Sequence, residues 1–271
     1  MTTATTTANP LAGAAGAGKP FTLIRHSAAL AKRSLLKTMR TPEALIDVTL
    51  QPVIFLLLFT YVFGGAIAGS QSAYLRYLLP GILAQTIAMS ATAIGVNMNT
   101  DISKGVFDRF RSLPIARSAP LVGAVLADFV RYALVAVITL GVGYAMGFRI
   151  ATDPLRAGAG LLVAATFALA LSWVSVFIGM LARTPGAVQG FMFLLVLPLS
   201  FGSSTFVQAN TLPGWLQAFV NVNPITHLAG LSRSLFLGGP VAGHFFWTAG
   251  WIIGLTAVFM PLALRAYGRK V

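Results

Sequence analysis

The sequence predicts an all-α, polytopic membrane protein with six transmembrane helices and both termini in the cytoplasm. Three observations predict it: six apolar runs of spanning length, a composition poor in charge, and basic residues gathered on one side of those runs. The runs are approximately Val48–Ile67, Tyr77–Val96, Leu121–Met146, Ala159–Leu181, Val188–Val207 and Phe245–Leu264. Each is close to the ~20 residues that carry a helix across a bilayer core. Hydrophobic residues make up 56% of the 271 and charged residues 9%, with mean hydropathy +0.81. A soluble domain carries about 25% charged residues. Six spans and short connections fill residues 21–271, which leaves no room for a soluble catalytic domain.

Charge sets the orientation. With the amino terminus inside, fourteen of the nineteen Lys and Arg fall in inner segments. Only Arg76, Arg149, Arg156 and Arg233 fall outside, and Arg131 lies within the third run. Inner connections are the basic ones in membrane proteins. The net charge of +13 therefore reads as an orientation signal, and no nucleic-acid partner is expected. Tyr74 and Tyr77 are expected at the outer start of the second span, and Trp247 and Trp251 at that of the sixth. Trp173 falls near the middle of the fourth run, as a packing residue.

The absence of cysteine excludes disulfides, thiolate metal sites and cysteine nucleophiles. His26, His227 and His244 lack zinc-ligand spacing, so no metal and no bound cofactor are expected on this chain. Residues 1–20 are rich in Thr, Ala and Gly and read as a disordered tail. Within them, Gly13 to Pro20 approaches a phosphate-binding loop. Pro20 stands where that loop needs a hydroxyl to hold magnesium.

Residues 21–41 pattern as an amphipathic helix. Leu23, Ile24, Leu30, Leu35 and Leu36 alternate with Arg25, Lys32, Arg33, Lys37 and Arg40. Such a helix lies in the inner headgroup region, as an anchor or as a contact for a cytoplasmic partner. Residues 208–243 are too apolar for a free loop. They predict two short helices forming an outer cap, divided at Asn223-Pro224 and ended by Gly238-Gly239-Pro240. His227 and Arg233 lie in this cap as candidates for ligand contact or for structural roles.

Asp128 and Arg131 are three residues apart and share a helix face. A charge at the centre of a spanning helix costs ~3 kcal/mol, so the two are expected to pair. The other reading makes Asp128 a proton relay in a stand-alone, proton-coupled secondary transporter. Gln85 and Ser90 of the second run either line a path through the bundle or hydrogen-bond neighbouring helices.

The most informative polar stretch is the inner connection 99–118, running from Asp101 through Lys104, Gly105, Val106, Phe107, Asp108, Arg109, Phe110 and Arg111 to Pro114 and Arg117. Val106, Phe107 and Phe110 form an apolar ridge ringed by charge, the pattern of a protein-docking surface more than of a solvated connector.

The segment Lys104 to Arg117 resembles the corresponding loop of type-two ATP-binding-cassette exporter permeases, most closely the daunorubicin-resistance branch. Val125-Leu-Ala-Asp128-Phe-Val-Arg131, Leu212-Pro-Gly-Trp-Leu-Gln217 and Asn223-Pro-Ile-Thr-His227 match in order. The resemblance extends from about Phe21 to the end. It implies that the loop forms a coupling helix seated in a separate ATP-hydrolysing subunit. Asp101, Lys104, Gly105, Phe107, Asp108, Arg109, Phe110, Arg111 and Pro114 would make that contact. Many relatives carry Glu where this chain has Asp101 or Asp108, which blurs individual pairings. The resemblance further implies a transport subunit without enzymatic activity of its own, with ATP and Mg held by two ABC ATPase subunits. It implies a second permease subunit, identical or different, and re-entrant outer helices. The cargo would be an amphipathic drug, secondary metabolite or lipid leaving across the plasma membrane.

Overall fold

A computed structural model describes residues 42–105 and 119–270. The expected tail over 1–20, the expected interface helix over 21–41, and Phe107, Asp108, Arg109, Phe110, Arg111 and Pro114 lie outside the described residues. Among the described residues every regular element is a helix and none is a strand.

α1 (Pro42–Leu58) continues through a π-helical turn (Phe59–Phe63) into α2 (Gly64–Ala68). Gly69 ends α2 in a left-handed conformation, φ 71°, that favours glycine. Ser70 then starts α3 (Gln71–Ser90), its Oγ accepting from the Ala73 amide at 3.2 Å. After an interruption at Ala91 the same rod continues as α4 (Thr92–Ser103). α5 (Ala119–Ala145) and α6 (Pro154–Leu181) follow. Pro154 sits in the first turn of α6, where its missing N–H costs nothing. α7 (Pro185–Phe201) is capped by Thr184, whose Oγ1 accepts from the Ala187 amide at 3.2 Å. α8 (Gly214–Val222) and α9 (Pro224–Leu237) precede the long α10 (Ala242–Lys270). Asn223 caps α9 through Oδ1, which accepts from the Ile225 amide at 2.9 Å.

Among the described residues four segments are long and apolar enough to cross a bilayer: Leu50–Ala68, Gln71–Ser103, Pro154–Leu181 and Ala242–Arg269. Two shorter apolar helices, Arg131–Ala145 and Pro185–Phe201, fall on the third and fifth runs of the sequence. The α3–α4 rod is the centre of the bundle. Its apolar window is 78% buried, against 22% for Leu50–Ala68 and 6% for Ala242–Arg269. α1, α5 and α9 pack on α3, while α6 and α7 pack on α4. Large apolar side chains on α1, α7 and α10, such as Ile54, Phe191 and Ile253, face outward. Hydrocarbon is as good a solvent for them as a protein interior. α8 and α9 close the cap end of the bundle, and α4 points to the opposite end.

Small residues set the closest helix approach. A Cβ on Gly95 of α4 would collide with the Ser175 backbone of α6, and one on Gly179 would lie 2.5 Å from the Gly95 carbonyl oxygen. Of the third-run glycines, Gly143 abuts Leu79, while Gly141 and Gly147 face open space.

Two expectations change. The fifth run stops being helical at Phe201 rather than Val207, and Ser203 to Phe206 form a buried, irregular segment. Asn223 Nδ2 holds that end by donating to the carbonyls of Leu199 and Gly202, both at 2.7 Å. Tyr74 and Tyr77 are not headgroup anchors. They turn inward and donate to this segment, Tyr74 to the Phe206 carbonyl at 2.9 Å and Tyr77 to the Ser204 carbonyl at 2.6 Å.

The α4–α6 contact generates a direct prediction. Gly95→Val overpacks a backbone-to-backbone approach and lowers stability by about 1–3 kcal/mol. Gly141→Ala, in open space within α5, raises it by up to about 1 kcal/mol through helix propensity. Thermal unfolding in detergent checks both signs.

Candidate functional site

Interrupting a helix inside an apolar bundle frees backbone amides and carbonyls that must find other partners. At Ala91 those partners come from α5 and α6. Arg131 Nη2 donates to the Ser90 carbonyl at 3.1 Å and pairs with Asp128 Oδ1, also at 3.1 Å. The two charged side chains are 11% and 14% exposed, so the ion pair is shielded and local. The guanidinium lies 5.6 Å from the Tyr132 ring. On the other side, Ser175 Oγ donates to the Thr92 carbonyl at 2.8 Å and accepts from the Gly95 amide at 3.1 Å. Further down α4, Asn99 Nδ2 donates to the carbonyls of Gly179 and Ala182, both at 2.9 Å.

A cavity of about 450 Å³ opens beside this interruption. Its wall passes from Thr86, Met89 and Ser90 on α3 to Thr92, Ala93, Val96 and Asn97 on α4. Gln51 of α1 and Gln189, Phe193 and Val196 of α7 complete it. A narrow crevice continues past Gln51, Thr86 and Met89 to Pro52, Phe55, Ile82 and Gln85. Among the described residues the polar lining consists of hydroxyls and carboxamides, with no charged side chain. The Gln85 Oε1 atom is buried without a hydrogen-bond partner among the described residues. The volume lies in the ~300–1,000 Å³ range of small-molecule sites. Such a lining suits a molecule with apolar bulk and several uncharged hydrogen-bonding groups.

The structure brings Gln85 and Ser90 to one groove, and places His227 elsewhere. His227 sits on α9, its Nε2 2.8 Å from the Asn221 carbonyl oxygen and its ring stacked on Trp247 at 5.0 Å. Its Nδ1 is 3.4 Å from His244 Nδ1. Burial pushes the His227 imidazole below its ordinary pKa, so it is neutral at pH 7. Arg233 is a tie rather than a ligand group. Its Nε donates to the Tyr77 carbonyl at 2.9 Å, and its Nη2 to those of Ser204 at 2.7 Å and Thr205 at 3.2 Å. Its guanidinium also covers the Tyr77 ring at 3.8 Å. Asp101 and Lys104 lie at the end of α4, where Gly105 turns the chain at φ 66°. Gln51 and Thr86 carried no sequence signal beyond polarity within an apolar run.

Residues 26–237 match the ABC-2 type transporter family. The chain belongs to that family. It is 42% identical over 242 residues to the daunorubicin resistance ABC transporter permease protein DrrB1 of Streptomyces coeruleorubidus, covering 88% of this chain and 84% of the relative. It is 24% identical over 234 residues to the probable doxorubicin resistance ABC transporter permease protein DrrC of Mycobacterium tuberculosis, covering 86% and 84%. The putative transport permease ycf38 of Porphyra purpurea is 25% identical over 217 residues, covering 76% and 72%. This ABC-2 chain is thus a multi-pass integral membrane protein whose relatives are named as permeases.

Within this ABC-2 fold, the cap-end ties have a measurable weight. Arg233→Leu strips donors from three buried carbonyls and lowers stability by about 3 kcal/mol. Tyr77→Phe, which removes only the phenolic donor to the Ser204 carbonyl, costs about 1 kcal/mol. Unfolding midpoints of the two variants in detergent give the comparison.

Proposed function

We propose that the chain is the permease subunit of an ATP-driven exporter that moves an amphipathic drug, secondary metabolite or lipid out of the cell. On this reading six spans cross the cytoplasmic membrane: α1 with its π turn and α2, the α3–α4 rod, α5, α6, α7 and α10. Both termini are cytoplasmic, as the distribution of Lys and Arg requires. α8 and α9 form the outer cap as re-entrant helices. ATP and Mg bind a separate ABC ATPase, which grips Asp101–Pro114, and a second permease subunit closes the path.

One observation carries the reading: the wall of the uncharged cavity is the same rod that ends at Lys104. Thirty-three residues of helix reach about 50 Å, well past the ~30 Å hydrocarbon core. The rod therefore links a ligand-sized cavity to the segment that resembles a coupling loop. The cargo class follows the names of the relatives and the chemistry of the lining. A proton-driven transporter fits less well, because Asp128 already pairs with Arg131 and does not line the cavity.

Purification in mild detergent from the native host tests the proposal. An ABC ATPase is expected in stoichiometric amount with the unaltered chain and with Asp128→Asn. It is expected to be lost when Phe107 and Phe110 are both replaced by Ala, since anchoring aromatics dominate such interfaces. Retention of doxorubicin efflux by the double variant, with loss in Asp128→Asn, would favour the proton-driven mechanism.

A further inference from the structure

We propose that Gln85 sets cargo selectivity: its unpaired carboxamide oxygen accepts a hydrogen bond from one uncharged hydroxyl group that projects from the cargo's apolar body into the crevice between α1 and α3. This role deepens the export reading and rests on it, since it takes the adjoining cavity as the place where cargo sits.

The crevice leaves the cavity at Gln51, Thr86 and Met89, which line both. Beyond that mouth its walls are Pro52 and Phe55 of α1 and Ile82 and Gln85 of α3. Ile82, Gln85 and Met89 follow one another at intervals of three and four, so they share one face of α3. The room there amounts to about 10 Å³, against about 450 Å³ in the cavity. That is close to what one water-sized group needs. A ring or a chain does not fit, whereas a single hydroxyl does.

Gln85 is 4% exposed, and its Oε1 is buried with no hydrogen-bond partner among the described residues. Other polar side chains of the bundle interior donate to backbone carbonyls, Asn99 to two and Ser90 and Thr139 to one each. Six buried side-chain atoms lack a partner among the described residues, and of their residues Gln85 alone lines the cavity or the crevice. A carboxamide oxygen left unbonded in an apolar interior is costly. Its neighbours do not relieve it. The side chains of Phe55, Ile82 and Met89 carry no strong donor, and Pro52 lacks even a backbone N–H. Gln51 and Thr86 carry donors, and neither reaches Oε1. The donor therefore comes from the molecule that enters through the cavity.

Charge selects among donors. An ammonium group would enter without a counter-charge, because no acidic side chain lines crevice or cavity among the described residues. Desolvating an unpaired ion there costs far more than desolvating a hydroxyl. The fitting cargo thus keeps its apolar bulk in the cavity and places one hydroxyl at its edge in the crevice.

Gln85→Met and Gln85→Leu remove the oxygen and keep most of the volume. Both are expected to raise the unfolding midpoint in detergent, because an apolar side chain there has no unmet bond. Gln217→Leu, at the cap, loses the bond from Nε2 to the Leu212 carbonyl and is expected to lower it. Doxorubicin then serves as the probe, its fluorescence followed on the full chain in lipid nanodiscs against empty discs. The unaltered chain and Gln217→Leu are expected to bind it alike, and both Gln85 variants about fivefold more weakly. The same ratio is expected with N-acetylated doxorubicin, which keeps its hydroxyls and loses its ammonium charge. A ratio confined to the charged form would make ammonium the recognised group and overturn the assignment. Equal binding by the unaltered chain and the Gln85 variants, or a midpoint lowered by both variants, would overturn the role of Gln85 and leave the cavity reading standing. No binding by the unaltered chain would overturn the cavity reading itself, and the inference with it.

Discussion

The structure depends on one constraint: in an apolar bundle no backbone amide or carbonyl can turn to bulk water. Where helices run unbroken the constraint satisfies itself. At two departures from regular helix, Ala91 and Gly202–Val207, arginine supplies donors. Arg131 serves the first and Arg233 the second. Both are assisted by short polar side chains, Ser175 at one site and Asn223 and Tyr77 at the other. Charges that are costly at this depth are therefore placed where their hydrogen bonds are worth most.

The two sites differ in how many bonds hold them. Arg233 gathers three carbonyls and a ring face, and Tyr74 reinforces the same segment. The cap end is thus fixed by many bonds acting together. At Ala91 the ties are fewer and come from two different helices. The cavity sits beside Ala91, and its described lining binds without charge. An uncharged lining avoids the desolvation cost of a lone buried ion and tolerates ligands that share polarity more than shape. Exposed apolar side chains of α1 and α7 flank that cavity.

Much of this was legible in the sequence, and the limits are physical. Run length located the helices, because hydrophobic thickness is a one-dimensional property. Asp128 and Arg131 were readable as a pair from their spacing of three. That the pair serves Ser90 was not, because the acceptor is a carbonyl on another helix, and carbonyls leave no trace in sequence. The end of α7 at Phe201 was hidden for the same reason. Gly202 to Thr205 is a weak loop signal inside an apolar run, and the partners that hold Ser204 and Thr205 lie 22 to 127 positions away. Tyr74 and Tyr77 read as headgroup residues because their depth was inferred from the run's edge, while tertiary hydrogen bonds turned them inward. Gln51 illustrates the remaining gap: a polar residue in a greasy run can face a cavity or a neighbour, and only packing decides.

Reconstituted vesicles offer the most direct measurement of what drives this molecule. The chain and an ABC ATPase that copurifies with it are placed in sealed liposomes, and accumulation of doxorubicin, the drug in the names of relatives and here a probe, is followed with ATP alone, with an imposed proton gradient alone, and with a vanadate-blocked ATPase. The account predicts uptake with ATP, none with the gradient, and none after the block. Gradient-driven uptake by the chain without ATPase or nucleotide would contradict it.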